Sequence, residues 1–534
     1  MTSSLIIGSG PAAAGVALAL SRHREEQITV IDIGTRLDAA KRAVVDRLAS
    51  LATGDWAGAE VAAIRAASGR RARHALPEKR SYGSDYPFRD VGQLRGVRAL
   101  GGVNPAIISG AYGGFSTVWG AQVMPLSAAM FAEWPVSLEQ MEPHYRAVLS
   151  SIPFAAEQDD LASAFPLFGT PTPLPPLHPR TSMVLSAYRR HRQRMQALGI
   201  TVGHARLAVD SDRCVSCGLC LTGCPHSLIY SASQTFDRLI AQRRVRYHDG
   251  LVAYRLSESA GKARVDAWEA AAGSVRTFEA DRVYVACGAF GTTRLVLASL
   301  EHYDQPVMLD ESVQFVLPAL SGKRAPDPRE VKSFTLNQFN MVVSLDGVGR
   351  DVSQVHFYAT DLALLDAMPA VMRTQAARPA AMGLLRHLTV GLGYLPSWAS
   401  PRLRAVARRP QGSDLLPGLE VGPEGASRGR IPMLREVLRR MTRAAPYLDL
   451  LPISAMQFVS AGGKSYHFGG SFPHTAPVNG GLLATDRVGR LKAWSRIHLV
   501  DGSVLPSIPA STFTLTVMAN AHRIAADSVG LRDG

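Results

Sequence analysis

The segment SLIIGSGPAAAGVALAL, residues 4–20, constrains the fold of this chain more than any other part of its sequence. An apolar strand leads into a turn with Gly8 and Gly10, and a helix of small residues follows. Gly8 suits a tight turn, Gly10 lets the backbone approach a pyrophosphate at the helix N-terminus, and Ala13 with Gly15 allows close packing of the helix on the strand. About 20 residues further on, the strand ITVIDIG ends at Asp32, which is placed to bind an adenosine ribose. Together these features predict a Rossmann-like dinucleotide-binding unit.

Composition narrows the class of protein. The 534 residues are 46% hydrophobic, so the chain can bury a large core spread over about two or three domains. Its net charge is +14, but the Arg residues are scattered and no aromatic-rich basic module accompanies them, so no nucleic-acid partner is expected. The N-terminus lacks the features of a secretory signal, and no apolar run of about 18 residues predicts a spanning helix. The expected location is therefore cytoplasmic.

Four of the five cysteines lie in RCVSCGLCLTGCPHS, residues 213–227. Cys214, Cys217, Cys220 and Cys224 have the spacing C-x2-C-x2-C-x3-C-P of bacterial ferredoxins, in which thiolates converge on iron. Either Cys224 joins the other three on a [4Fe-4S] cluster, or three thiolates hold a [3Fe-4S] cluster. A zinc site is the structural alternative, although zinc usually takes two separated cysteine pairs. The segment predicts an iron–sulfur cluster and hence one-electron transfer.

Three further segments carry a family resemblance: GGFSTVWGAQVMPLSAAMFAEWPVSLEQMEPHY (113–145), DRVYVACGAFGTTRLVLAS (281–299) and IHLVDGSVLPSIPASTFTLTVMANAHRIA (497–525). They resemble landmarks of the glucose-methanol-choline (GMC) oxidoreductases, in particular of the iron–sulfur subgroup with the catalytic subunits of fructose dehydrogenase and FAD-dependent glucose dehydrogenase. The resemblance implies that the dinucleotide is FAD. It also implies cofactor contacts at Gly113, Gly114, Ser116, Val252, Gly288, Asp501, Gly502 and Thr514.

The expected fold is α/β (α+β), with a Rossmann-like FAD/NAD(P)-binding domain and a discontinuous substrate or cap domain built on an antiparallel sheet. Both domains are expected to be assembled from separate pieces, because the family landmarks recur along the whole chain. The FAD-binding domain is expected at 1–35, 95–125, 205–300 and 465–534, with the iron–sulfur segment at 213–227. The substrate and cap domain is expected at 36–94, 126–204 and 301–464.

Catalytic candidates follow from the same resemblance. KSYHFGGSF places His467 where the family has a His that takes the alcohol proton, and imidazole has a pKa near working pH. The family's second group, His or Asn, corresponds to Thr512 here, and threonine can hydrogen-bond a substrate oxygen but cannot act as a base. His474 is a candidate for the missing imidazole, with a position at the rim of the site as the other interpretation.

The predicted function is a FAD-dependent dehydrogenase that oxidises a CH–OH group of a sugar, polyol or lipid-linked glycosyl substrate. Electrons would pass through the cluster to an external acceptor, which is a quinone, a cytochrome or a ferredoxin-like protein. In one alternative a ferredoxin-type donor drives the reduction of an alkene or carbonyl. In another the chain is a catalytically idle electron-transfer or assembly subunit.

Residues 368–409 combine apolar clusters with Arg and contain no acidic residue. This composition predicts either an interfacial amphipathic segment or a cap helix with a basic outer face. The first interpretation implies peripheral contact with the inner face of the membrane. A periplasmic location would require transport by a signal-bearing partner.

Overall fold

The computed structural model describes residues 2–65, 80–89, 97–101, 103, 108–346, 351–358, 370–412, 414–425, 430–475 and 481–530. The expected domain boundaries at residues 1, 94, 95 and 534 and the first two residues of 368–409 lie outside these ranges. Within them the chain forms 20 strands and 11 α-helices.

The strands, in chain order, are β1 Thr2–Ile7, β2 Glu26–Ile31, β3 Val97–Ala99, β4 Ile200–His204, β5 Val245–His248, β6 Leu251–Ser259, β7 Lys262–Glu269, β8 Ser274–Ala280, β9 Arg282–Val285, β10 Pro306–Glu311, β11 Gln314–Leu320, β12 Asn337–Ser344, β13 Val352–Tyr358, β14 Leu388–Tyr394, β15 Arg402–Arg408, β16 Gly418–Glu424, β17 Leu451–Pro452, β18 Phe458–Val459, β19 Phe468–Gly469 and β20 Ile497–Leu499. The helices are α1 Pro11–Leu20, α2 Ala39–Ser50, α3 Gly58–Arg65, α4 Leu138–Leu149, α5 Pro179–Arg190, α6 Arg192–Ala197, α7 Ala232–Ala241, α8 Gly288–Ser299, α9 Arg378–Leu385, α10 Arg430–Leu448 and α11 Thr514–Ser528.

A five-stranded parallel sheet in the order β20-β9-β1-β2-β5 forms the Rossmann-like centre of the fold. The apolar β1 lies in the middle of this sheet, and α1 follows it after a short turn, as the sequence predicts. The small residues of α1 make room for α11: a Cβ added to Gly15 would lie 2.2 Å from the carbonyl oxygen of Met518. The closest approach at Gly15 is thus to the helix α11, whereas the sequence predicted close packing of Ala13 and Gly15 against a strand.

An antiparallel sheet in the order β17-β11-β14-β13-β12-β4 forms the second layer, with β18 also paired to β11. One face packs on α5 and α10 in a buried apolar cluster. Gly391 and Gly393 of β14 lie under aromatic side chains of neighbouring strands, Phe357 and Phe315. The sheet confirms the antiparallel architecture expected beside the dinucleotide fold.

Two further sheets complete the described chain. Strands β6, β7 and β8 form an antiparallel sheet, and β19-β10-β15-β16-β3 form a mixed sheet. The mixed sheet takes β3 and β19 from the expected FAD-binding pieces and its other strands from the expected cap pieces. This sheet thus combines strands from both expected domains. The boundaries between the two domains stay a prediction.

The described part of 368–409 is not one amphipathic element. It contains α9, then β14 and β15, which are inner strands of two different sheets, so alternate side chains such as Tyr394 and Leu403 are buried. Exposed apolar side chains remain at Val371, Leu384 and Trp398. Membrane contact stays a prediction that depends on these three side chains. None of the helices in the described ranges is long and apolar enough to cross a membrane.

Candidate functional site

The turn between β1 and α1 has the geometry that its glycines predict. Gly8 has a φ of 104°, and a Cβ there would lie 2.5 Å from the carbonyl oxygen of Ala286. Gly10 caps α1 without a side-chain hydrogen bond, and the first turn of the helix carries no acidic residue. The first backbone N–H groups and the positive end of the helix dipole are therefore available to an anion.

A cavity that is open to solvent runs along the carboxyl ends of β1, β2 and β20. The predicted cofactor residues on its wall are Gly8, Gly10, Asp32, Gly114, Val252, Gly288, Asp501, Gly502 and Thr514. Three others, Ala13, Gly113 and Ser116, lie behind this wall. Ser116 instead links two backbone segments, since its hydroxyl donates to the Gly113 carbonyl at 2.5 Å and accepts from the Ala232 amide at 2.9 Å.

Asp32 follows β2 and is almost fully buried at the wall of this cavity. The hydroxyl of Ser9 donates to its Oδ2, and the hydroxyl of Tyr247 donates to the same oxygen at 3.0 Å. Ser9 also accepts from the Gly113 amide at 2.9 Å, which connects the turn after β1 to the Gly-Gly loop. Burial raises the pKa of Asp32 to about 6, against the lowering effect of the two hydroxyls. An added O–H donor would favour its charged form.

A second carboxylate, Asp501, lies just after β20 on the same cavity. It accepts hydrogen bonds from the Thr292 hydroxyl at 2.5 Å and from the Ser503 amide at 2.9 Å. Burial raises the pKa of Asp501. Since Thr292 belongs to α8, this bond connects the helix after β9 to the terminal segment and holds Gly288 and Gly502 at one cavity.

His467 lies on the cavity wall, directly before β19. The ring of Tyr394 stacks on it at 4.9 Å with an interplanar angle of 9°, and the ring of Phe513 meets it edge-on at 5.1 Å. Its backbone carbonyl accepts from the Ser312 amide at 3.0 Å. The imidazole is thus oriented by aromatic packing and opens to the cavity in which a dinucleotide would lie.

The other two catalytic candidates do not line the cavity. Thr512 has a buried hydroxyl with no hydrogen-bond partner in the described part of the chain. His474 is only 1% exposed, which corrects the interpretation as a rim residue. Its Nδ1 lies 2.8 Å from the Asp486 carbonyl oxygen and its Nε2 lies 3.1 Å from the Asn520 amide nitrogen. Burial lowers the pKa of His474 to about 3, so it is a neutral side chain that holds α11 in place.

The aromatic wall beside His467 was missed by sequence reasoning. Tyr394 was grouped with a surface segment, and His356 was not considered. The ring of His356 lies 4.9 Å from that of Tyr394, its Nε2 is buried without a partner in the described ranges, and burial lowers its pKa to about 3. The segment VSQVHFY of β13 carried the available signal. Side chains alternate between the two faces of a strand, so Gln354 and His356 lie on the same face.

The four cysteines of the loop after β4 surround a separate, smaller cavity. His226 also lines it, and the other lining residues are apolar: Pro175, Leu207, Val209, Val215, Leu228, Ile229, Phe334 and Leu336. Burial raises the pKa of Cys217, Cys224 and, to about 12, Cys220, and the Thr335 amide donates to the Cys220 sulfur at 3.4 Å. Among the described residues no three His, Cys, Asp or Glu side chains are arranged to hold a single metal ion.

Comparison with known proteins gives one match at the cysteine site and one match of the whole fold. Residues 207–230 match the family described as "4Fe-4S binding domain", which indicates an iron–sulfur cluster site at the four cysteines. No curated protein sequence matches the chain. The structure is similar to that of pyridoxine 4-oxidase from Mesorbium loti, with a TM-score of 0.60 over 100% of both chains at 13% sequence identity. This likeness confirms the mixed α/β fold with its Rossmann-like unit.

Proposed function

We propose that this chain is a FAD-dependent oxidoreductase of the GMC type that oxidises a CH–OH group and passes the electrons through an iron–sulfur cluster to an external acceptor. The observation that carries the proposal is the combination, in one chain, of a cavity at the glycine turn of the Rossmann-like unit, with His467 on its wall, and a separate four-cysteine site. The likeness to an enzyme named as an oxidase of pyridoxine supports an oxidation on this fold.

The residues of the larger cavity fit FAD. The uncapped N-terminus of α1 would bind the pyrophosphate, and Asp32 would accept a hydrogen bond from the ribose. Asp501 and Gly502 lie at the carboxyl end of β20 on the same wall, where the family resemblance places the ribityl and phosphate region. FAD, when bound, supplies the acceptor for the hydride that leaves the substrate carbon.

His467 would take the hydroxyl proton of the substrate while the C–H bond breaks, so that the CH–OH group becomes a carbonyl. Tyr394 and Phe513 would hold the imidazole ring in one orientation during this step. Losing a positioned base typically slows such a reaction by about 10²- to 10⁴-fold. A sugar, polyol or lipid-linked glycosyl alcohol is the proposed substrate class, on the family resemblance.

The cysteine site would hold the cluster that carries the electrons away. Because an oxidase that reduces oxygen at the flavin needs no such relay, the cluster favours a dehydrogenase with a quinone, a cytochrome or a ferredoxin-like protein as acceptor. We propose that the reaction takes place in the cytoplasm and that the protein contacts the inner face of the membrane peripherally.

The test is an anaerobic reaction of purified holoprotein with candidate alcohols, followed by loss of flavin absorbance. His467→Ala is expected to slow this bleaching by about 10²- to 10⁴-fold with FAD content unchanged. The matched variant Cys217→Ser is expected to lose the cluster, to keep the bleaching and to lose turnover with the acceptor. If no alcohol bleaches the flavin, or if His467→Ala bleaches as fast as the wild type, the proposed reaction is wrong.

One observation favours a second candidate function. Thr512 stands where the family has a second His or Asn, and its hydroxyl is buried without a partner in the described chain. A site with one base suits a reductase in which a ferredoxin-type donor drives the reduction of an alkene or carbonyl. Flavin that resists every alcohol but reoxidises on adding a ketone or enone, after reduction by dithionite, would support this reaction. Flavin that responds to neither would support an idle electron-transfer subunit.

A further inference from the structure

The N-terminal part of the expected cap region packs against the cysteine loop. Leu219 and Cys217 of the loop share an apolar cluster with residues of α2 and α3. The rings of Trp56 and His226 stack at 5.9 Å. Tyr82 and Tyr86, from residues 80–89, lie in the same cluster.

Within residues 80–89, Tyr82 makes three contacts with the turn that leads to Cys224. Its amide donates to the Thr222 carbonyl at 2.7 Å, and its hydroxyl donates to the Cys224 carbonyl at 2.8 Å. Its ring lies against Gly223, where an added Cβ would be 2.7 Å from a ring carbon. Gly223 also has a φ of 126°, which an L side chain rarely adopts. The turn and the tyrosine are therefore shaped to each other.

Tyr82 is itself held in an unfavourable conformation by its surroundings. Its φ is 53°, a left-handed value that costs energy in a residue with a large side chain. A bidentate ion pair anchors the segment, with Arg89 donating to the two carboxylate oxygens of Asp38 at 2.6 and 3.0 Å. The Ser84 hydroxyl donates to the same carboxylate at 2.9 Å. Tertiary contacts thus fix the tyrosine that contacts the turn.

Cys224 is the cysteine whose ligand role the spacing leaves open. Cys214, Cys217 and Cys220 follow one another at intervals of three residues, whereas Cys224 depends on the extra turn through Thr222 and Gly223. We propose that Tyr82 is the positioning residue that holds this turn, so that Cys224 completes a four-iron cluster instead of leaving a three-iron one. The proposal rests on the iron–sulfur part of the proposed function and is independent of the flavin reaction.

The experiment compares iron content and electron paramagnetic resonance in anaerobically purified holoprotein. Oxidised four-iron clusters of this type are diamagnetic, whereas oxidised three-iron clusters give a signal, so the two are distinguishable without an activity assay. The variants are Tyr82→Ala, which removes ring and hydroxyl, and Tyr82→Phe, which removes the hydroxyl alone. Cys224→Ser defines the three-iron product, and Tyr86→Phe is the matched control in the same segment.

We expect about four irons per chain and no signal after mild oxidation in the wild type and in Tyr86→Phe. Tyr82→Ala should resemble Cys224→Ser, with about three irons and the three-iron signal. Tyr82→Phe should assemble four irons but convert to the three-iron form about three- to tenfold faster under oxidant, as expected for one lost hydrogen bond.

Two results would overturn the proposal. In the first, both Tyr82→Ala and Tyr82→Phe keep four irons and convert to the three-iron form at the wild-type rate. In the second, Cys224→Ser keeps a four-iron cluster. If Tyr82→Ala does not fold, judged by lost FAD, Tyr82→Phe alone decides. A failure of the proposed function would be seen in the wild-type protein instead. Either the protein would contain zinc without acid-labile sulfide, or no substrate would reduce its flavin. Zinc in the wild type would also end the Tyr82 proposal, whereas an inert flavin would leave its outcome unchanged.

Discussion

Binding of FAD to the apoprotein should tighten about tenfold between pH 5 and pH 7, because Asp32 must be charged to accept a hydrogen bond from the ribose. Burial raises the pKa of Asp32 to about 6. At pH 5 about nine-tenths of the apoprotein therefore carries a neutral Asp32, and at pH 7 only about one-tenth does. Tenfold corresponds to about 1.4 kcal/mol. Binding then releases a proton, so affinity rises with pH through 6 and levels off above 7.

The assay is a titration of apoprotein with FAD, followed by the change in flavin fluorescence at several pH values. Circular dichroism at each pH serves to check that the apoprotein stays folded. Asp32→Asn keeps the shape of the side chain and removes its titration, so this variant should bind FAD more weakly at pH 7 and with a flat pH profile. An affinity that is flat or falls with rising pH in the wild type would refute the reasoning. So would a slope that persists in Asp32→Asn.

Other consequences of the structure can be tested in the same preparations. Gly15→Val should lower the free energy of unfolding by about 1–3 kcal/mol or more in denaturant titrations, because the new side chain overlaps the Met518 carbonyl on α11. Gly383→Ala is the matched control and should not destabilise the protein, because a Cβ at Gly383 meets no atom within 4 Å. The protein should cosediment with anionic liposomes, less at high salt but not to zero, and Leu384→Ser with Trp398→Ser should abolish the salt-resistant fraction. Leu451→Ser, at an exposed site outside 368–409, should bind as the wild type does, and a wild type that stays in the supernatant at low salt would disprove membrane contact.

The parts that sequence reasoning predicted are those in which neighbouring residues determine the local backbone. The apolar run, the turn with Gly8 and Gly10, and the small residues that follow predict a strand–turn–helix unit. The structure has that unit, and Asp32 follows the next parallel strand. The spacing of the four cysteines likewise brings them around one cavity, since each interval is a single turn of chain. Even His467 was placed by a short motif, and it does line the cavity.

The partners of these residues depended on the tertiary structure. Tyr82 and Cys224 are 142 positions apart, and no local pattern indicates that one holds the other. Tyr394 lies in the segment 368–409, for which the sequence predicted either an interfacial amphipathic segment or a cap helix, yet it belongs to an inner strand and stacks on His467. His474, seven residues from His467, is buried against Asn520 and lies away from the cavity. Local sequence determines a turn because its energy depends on a few adjacent dihedral angles, whereas the neighbours of a side chain are determined only when distant segments pack together.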